Sequence, residues 1–363
     1  MYKSLAIENF RSFPELNIPD LNRINLIAGK NNVGKTTFLE AVFLLTGAYN
    51  PTLTLKIDGF RGISGVDVEL VHLDTTPWDG IFHNFDTTKT IKIIGRNGRK
   101  FHRALKFKII RDPKELAEIN QYLLYPQKSV KTKELVNLTT EAAHVFELEC
   151  KEKGTSRKYY MILDKSGMKV IPIPPPPPQQ AIFVPARMIF PLSMEAKRFG
   201  KLEILGKVEL VVDALKVVEP KLERITVIPS GRETMLYGEI GKNRLMPLPL
   251  MGEGMVRLLS YLLAIADAKD GVVLIDEIEN GLHYSVMSEV WRAIAKAARE
   301  FNVQIFATTH SHECIEKAHE AFSKNHPEEF NLHRLEADEE TIRAVTIDHK
   351  TLGIALKKGL EIR

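Results

Sequence analysis

With 363 residues, 44% of them hydrophobic, the chain is long enough to bury a substantial core, in one lobe or two. A formal net charge of +4 does not by itself mark a nucleic-acid binder, and two distant cysteines, Cys150 and Cys314, exclude a disulfide framework or a cysteine-ligated metal. The N-terminal residues do not read as a signal peptide and no run of 18 apolar residues occurs, so the expectation is a cytoplasmic protein without a membrane segment.

Residues 2–10 alternate as a strand, 11–13 turn out of it, and Leu16, Ile18 and Leu21 predict a second short strand. An apolar run, Ile24 to Ala28, then meets Gly29-Lys30-Asn31-Asn32-Val33-Gly34-Lys35-Thr36-Thr37, and a helix is predicted at about 37–47. Strand, glycine turn and helix with the spacing G-x-x-x-x-G-K-T form a phosphate-binding loop, in which backbone amides and a helix N-terminus face the anion. Asn31, Asn32, Val33, Gly34, Lys35, Thr36 and Thr37 are therefore the expected nucleotide-binding set. Lys35 would reach the β- and γ-phosphates of ATP, and the Thr36 hydroxyl would coordinate Mg²⁺.

The region at about 48–185 reads as a β-rich lobe, with strands at 66–73, 89–95, 144–150 and 157–163. Asn97-Gly98 marks a tight hairpin turn. Nine Lys or Arg residues and no Asp or Glu lie between Lys89 and Arg111. That run is either the solvated face of a hairpin or a surface for DNA or an acidic partner. Pro172 and the five prolines at 174–178 form a stiff connector. A short strand at 181–184 precedes a mainly helical insertion at about 193–228, whose charges nearly balance.

Beyond it the α/β pattern returns: a helix at 255–268, strand 271–275, helix 284–299, strand 302–308 and helix 312–323, followed by a polar tail. Val272-Val273-Leu274-Ile275 is apolar on both faces, as a buried parallel strand should be, and ends in Asp276-Glu277. Behind a phosphate loop, Asp276 would hold Mg²⁺ and Glu277 would orient or activate the attacking water. A second apolar strand ends in Thr309-His310-Ser311, which places His310 at the same sheet edge for a γ-phosphate or a lytic water.

The stretches GKNNVGKTT, VVLIDEIENGLH and FATTHS resemble the ABC-type ATPase heads of the recombination, SMC-like and OLD-like family. The N-terminal IENFRSF is similar to the first strand of those heads, which implies Arg11 near the nucleotide. The resemblance implies a P-loop NTPase fold, with a β-rich lobe and a helical insertion, and catalysis by Lys35, Glu277 and His310. It also implies a homodimer in which a signature segment of one subunit completes its partner's site. Gly252, Glu253 and Gly254 occupy that place, with Met251 where the family carries serine. No glutamine switch loop is assigned, since Gln121, Gln127, Gln179 and Gln180 lack a suitable context.

A long coiled coil and the clustered carboxylates of OLD nucleases are missing, Asp338, Glu339 and Glu340 being isolated. The expectation is an Mg²⁺-dependent ATPase motor that serves a separately encoded effector, a nuclease or a toxin. The alternatives are an ATP-gated DNA clamp acting through 89–111 and a nucleotide switch with little turnover.

Overall fold

The computed structural model describes residues 1–62, 76–98, 101–124, 144–164, 167–187, 190–231, 233–241, 244–323, 326–338 and 341–362. The strand expected at 66–73, and Arg99, Lys100, Gln127, Glu339 and Glu340, lie outside the described residues.

In chain order the elements begin β1 (Ser4–Phe10), β2 (Phe13–Ile18), β3 (Ile24–Ala28), α1 (Lys35–Gly47) and α2 (Leu53–Phe60). Then come β4 (Ile91–Asn97), β5 (Phe101–Ile110), α3 (Pro113–Leu124), β6 (His144–Glu152), β7 (Thr155–Asp164), β8 (Gly167–Ile171) and β9 (Ala181–Val184). α4 (Leu192–Ile204), α5 (Val208–Leu215), β10 (Arg224–Ser230), β11 (Glu233–Glu239), β12 (Met246–Pro247) and α6 (Glu253–Asp267) follow. The last are β13 (Val272–Ile275), α7 (Met287–Glu300), β14 (Gln304–Thr308), α8 (His312–Phe322), β15 (Phe330–Ala337), β16 (Ile342–Asp348) and α9 (His349–Lys357).

Two compact units result, one of Met1–Ser4, Ile18–Thr46 and Gln179–Arg363, the other of Leu5–Asn17 and Gly47–Pro178. The proline run closes the second unit. The first is built on a six-stranded sheet of order β16-β15-β3-β14-β13-β9. β9, β13, β14, β3 and β15 are mutually parallel, so their carboxyl ends share one edge. Every residue of β3, β13 and β14 is buried, which is why these strands are mainly apolar on both faces rather than alternating. Helix α7 buries Met287, Val290, Trp291, Ile294, Ala295 and Ala298, an i, i+3, i+4 stripe that turns its charges outward. Trp291 packs edge-on to Phe330 of β15, and Phe322 of α8 stacks on that same ring.

The second unit carries a seven-stranded sheet of order β2-β1-β4-β5-β6-β7-β8. Its ladder from β4 to β8 is antiparallel, and Trp78, Phe146 and Phe107 stack successively against it. The basic run lies on the β4–β5 hairpin. Lys89, Lys92, Arg103, Lys106 and Lys108 pair with Asp86, Glu8, Glu152, Glu149 and Glu115. Arg103 is 1% exposed, so its charge is an internal tie rather than a surface contact.

Three expected boundaries move. The helical stretch placed at 193–228 ends as helix at Leu215, and from Arg224 the chain forms the three-stranded sheet β10-β11-β12. Ala181–Val184, assigned to the β-rich lobe, pairs instead with β13 in the parallel sheet. The "polar tail" contains β15, which hydrogen-bonds β3 from Ile24 to Ala28. Its charged residues cluster at the far end, and four buried residues open it.

Candidate active site

β3 delivers the chain to Gly29, whose φ of +145° and whose place beside Leu335 admit only glycine, because a Cβ there would lie 2.7 Å from the Leu335 carbonyl. The turn continues through Asn32 and Gly34, both at positive φ, and α1 opens at Lys35 with no acidic residue in its first turn. The positive end of the helix is thus left to an anion. Asn31 and Asn32 are exposed, whereas Val33, Gly34, Lys35 and Thr37 are buried. Lys35 Nζ donates to the carbonyls of Gly29 (2.7 Å) and Lys30 (2.9 Å), so the ammonium lies across its own loop. Burial pushes the Lys35 pKa down, against the opposing pull of Glu277, Asp276 and Glu279.

β13 ends where Asp276 begins, and the backbone there is tied on both sides. Asp276 N–H donates to Val184 of β9, and Ile278 N–H to Thr308 of β14. Thr36 Oγ1 stands 3.0 and 3.1 Å from the two oxygens of Asp276, joining loop to carboxylate across 240 residues of sequence. Thr308 Oγ1 donates to Asp276 Oδ1 at 2.6 Å and accepts from Glu277 N–H at 2.8 Å. One buried hydroxyl therefore orients both carboxylate residues. Glu277 has a φ of +50°, a conformation that costs a non-glycine residue of order 1 kcal/mol and aims its side chain out of the strand line. Asn280 Nδ2 donates to Glu277 Oε2 at 2.8 Å and fixes that aim.

β14 carries His310 to the same edge. Ser311 caps α8 by accepting from Cys314 N–H, which holds His310 between a strand end and a helix start. Its Nδ1 is 3.2 Å from Glu279 Oε1 and 3.8 Å from Glu277 Oε1. Thr36, Asp276, Glu277 and His310 are thus gathered at one sheet edge, with Lys35 opening the helix beside Thr36 and within electrostatic reach of Asp276 and Glu277. The sequence places Asn280 only within the segment Asn280–His283 that resembles the family's switch, and gives no role to Glu279 or Thr308. Glu279 and Asn280 lie within three residues of Glu277, and a polar doublet so close to the expected catalytic carboxylate is the available signal. Thr308 carried none, since threonine is ordinary in strands.

Thr36 and Asp276 offer hard oxygen donors, the chemistry that Mg²⁺ takes. Among the described residues no three or more His, Cys, Asp or Glu gather as a metal site. Two protein oxygens suit a cation that draws its other ligands from phosphates and water.

The expected signature segment lies elsewhere on the same unit. Gly252, at φ +108°, opens α6; Gly252 and Glu253 are exposed, and Leu250 just before them is 73% exposed. Gly254 abuts Gly281, where an added Cβ would meet the Gly281 carbonyl at 3.1 Å, and Gly281 in turn abuts the Glu253 side chain. Met251, in the place of serine, sits against Gly238 of β11 and so serves packing. Arg11 belongs to the other unit, where it pairs with Asp58 at 2.6 Å.

A family described as "AAA ATPase domain" matches residues 1–182, and one described as "AAA domain, putative AbiEii toxin, Type IV TA system" matches residues 182–316. An "ATP/GTP phosphatase" of Helicobacter pylori is 23% identical over 338 residues, 87% of each chain. An "OLD nuclease" of Thermus scotoductus is 36% identical over 93 residues, 26% of this chain and 14% of that protein. Among solved structures, an SMC head bound to the C-winged helix domain of ScpA aligns over 98% of this chain and 99% of that one, at a TM-score of 0.48 and 12% identity. The SMC head domain from Thermotoga maritima aligns over 96% and 99%, at 0.42 and 12%. Since the first of the two family matches spans half of the 363 residues, the chain belongs to the AAA ATPase domain family and is an ATPase.

Proposed function

We propose that this ATPase hydrolyses Mg²⁺-ATP as a nucleotide-sandwich homodimer and drives a separate effector in defence against foreign DNA. The observation that carries the hydrolytic part is the 3.0 Å approach of Thr36 to Asp276, with Glu277 the next residue. Loop amides and the Lys35 ammonium bind the triphosphate and stabilise charge that develops on it. Thr36 and Asp276 hold Mg²⁺, which when bound neutralises phosphate charge. Glu277, steadied by Asn280, orients a water for in-line attack, and His310 stands beside it. Asn31, Asn32, Val33, Gly34 and Thr37 complete the cradle.

The dimer is supported by the exposed opening of α6 at Gly252, where first-turn amides would meet a phosphate presented by a second copy. Glu253 and Gly254 belong to that same surface. The effector is supported by one family description, which names a toxin of a toxin–antitoxin system, and by one relative named a nuclease. The ion pairs along β4 and β5 support the solvated-hairpin reading of 89–111 over a DNA track.

The test is ATP turnover and native mass, with and without ATP, for the wild type and Glu277→Gln. The expected outcome is a fall in kcat of about 100-fold with ATP binding kept, and an ATP-dependent dimer trapped by the variant. Equal rates in the two proteins would remove Glu277 from the mechanism. A monomer indifferent to ATP would remove the sandwich.

A further inference from the structure

We infer that Glu279 is a positioning residue for hydrolysis: it holds His310 with its proton on Nδ1, so that Nε2 is the working nitrogen. This rests on the reading of His310 as a member of the hydrolytic centre. Donors concentrate on one carboxylate oxygen of Glu279. Glu279 Oε1 accepts from Thr309 Oγ1 at 2.8 Å and from the His310 backbone N–H at 2.9 Å, and the His310 ring nitrogen Nδ1 lies 3.2 Å from it. An ionised carboxylate is an acceptor only, so the ring nitrogen facing it is the one that bears hydrogen.

The rival acceptor is Glu277 Oε1, at 3.8 Å from the same nitrogen. That is beyond hydrogen-bond reach, whereas Glu279 Oε1 lies at ion-pair distance, so the nearer carboxylate is the one that faces the ring. Glu279 is also the less exposed of the two, its side chain 13% accessible against 39% for Glu277. Its second oxygen is buried and has no hydrogen-bond partner among the described residues. A half-satisfied buried carboxylate is costly to keep, which fits a group retained for what it does to its neighbour.

The consequence divides labour between two glutamates separated by one residue. Glu277, reached by Asn280, faces the substrate side, and Glu279 serves the histidine. With Nδ1 committed, Nε2 of the neutral ring presents a lone pair to a water proton, and Nε2–H of the charged ring presents a donor to a phosphate oxygen.

The experiment is long-range ¹H–¹⁵N spectroscopy of the full chain labelled in histidine, with the His310 signals assigned by their loss in His310→Gln. The wild type is expected to show a protonated Nδ1. In Glu279→Ala the ring should leave that state, and kcat should fall about tenfold with little change in KM for ATP. Glu279→Gln keeps an acceptor oxygen and should recover most of the rate. A bare Nδ1 in the wild type, or His310 signals unmoved by Glu279→Ala, overturns the inference. Should Glu279→Ala fail to fold, the wild-type and Glu279→Gln spectra decide. A wild-type rate in His310→Gln would instead strike the assignment of His310 to hydrolysis.

Discussion

Thr308 is the residue on which both acidic groups of the site depend. Its hydroxyl is shared between Asp276 Oδ1 and the Glu277 N–H. Thr308→Val keeps the shape but removes one of the hydroxyls that serve Asp276 Oδ1 and the acceptor of the Glu277 N–H, at a cost of about 1 kcal/mol. Urea unfolding should show that loss, and steady-state kinetics should show a lower kcat, while Thr308→Ser restores both. Gly29 is tested from the steric side. Gly29→Ala sets a methyl 2.7 Å from the Leu335 carbonyl and asks alanine to adopt φ +145°, so nucleotide affinity measured by calorimetry should collapse. Thr36, Asp276 and Glu277 were legible in the sequence because their residue types and spacing carry phosphate and metal chemistry. Thr308 and Glu279 were not, because they act through hydrogen bonds to residues that only folding brings near.

At the scale of elements, the β15–β16 hairpin shows how a nucleotide sheet is extended by a chain that reads as polar. His333 is wholly buried in β15, with Nδ1 3.0 Å from Thr346 Oγ1 of β16 and Nε2 3.3 Å from Asn25 Oδ1 of β3. Burial holds its pKa down, to about 3. The folded value lies below the unfolded one of about 6.5, so its contribution to stability is complete above that pH and is lost as pH falls towards 3, by about 1.4 kcal/mol per unit. Denaturation followed between pH 7 and pH 4 should show this slope, and His333→Gln should flatten it. The parallel strands β3, β13 and β14 were legible as mainly apolar runs. β15 was not: its buried half contains Asn331 and His333, polar residues that are buried because the Asp20 carbonyl accepts from the Asn331 amide and Thr346 of β16 and Asn25 of β3 flank the His333 ring. The helical insertion was overextended for a similar reason, since the charges at Glu219, Lys221 and Glu223 continue a helical composition past the true end of α5 at Leu215.

For the whole molecule, the surface around Leu250 and Gly252 is where a second copy is expected. Leu250→Glu places a charge at an exposed apolar residue, so folding should be unaffected while the ATP-dependent dimer is lost in sedimentation. The β4–β5 face is expected to bind duplex DNA weakly, with little response to salt, because acidic neighbours already compensate its charges. Steep salt-dependent affinity lost on neutralising exposed Arg96 and Arg111 would contradict that; Arg103 is unsuitable for such a test, being internal. Among the described residues, no helix is long and apolar enough to cross a membrane.

The contact between Gly254 and Gly281 ties two functions to one piece of backbone. Gly281 lies four residues beyond Glu277, and with no side chain on either glycine there is little slack between them. Whatever presses on the start of α6 is therefore transmitted to the segment that carries Glu277, Glu279 and Asn280. In a symmetric pair, the surface lent to the neighbour and the machinery kept at home would move as one lever. Occupation of one site would then bias the other, and the dependence of rate on ATP concentration should be sigmoidal, with a Hill coefficient above about 1 and up to about 2. Distorting the lever by Gly281→Ala, whose methyl would lie 2.7 Å from the Glu253 side chain at a φ of +71°, should return the curve towards a hyperbola.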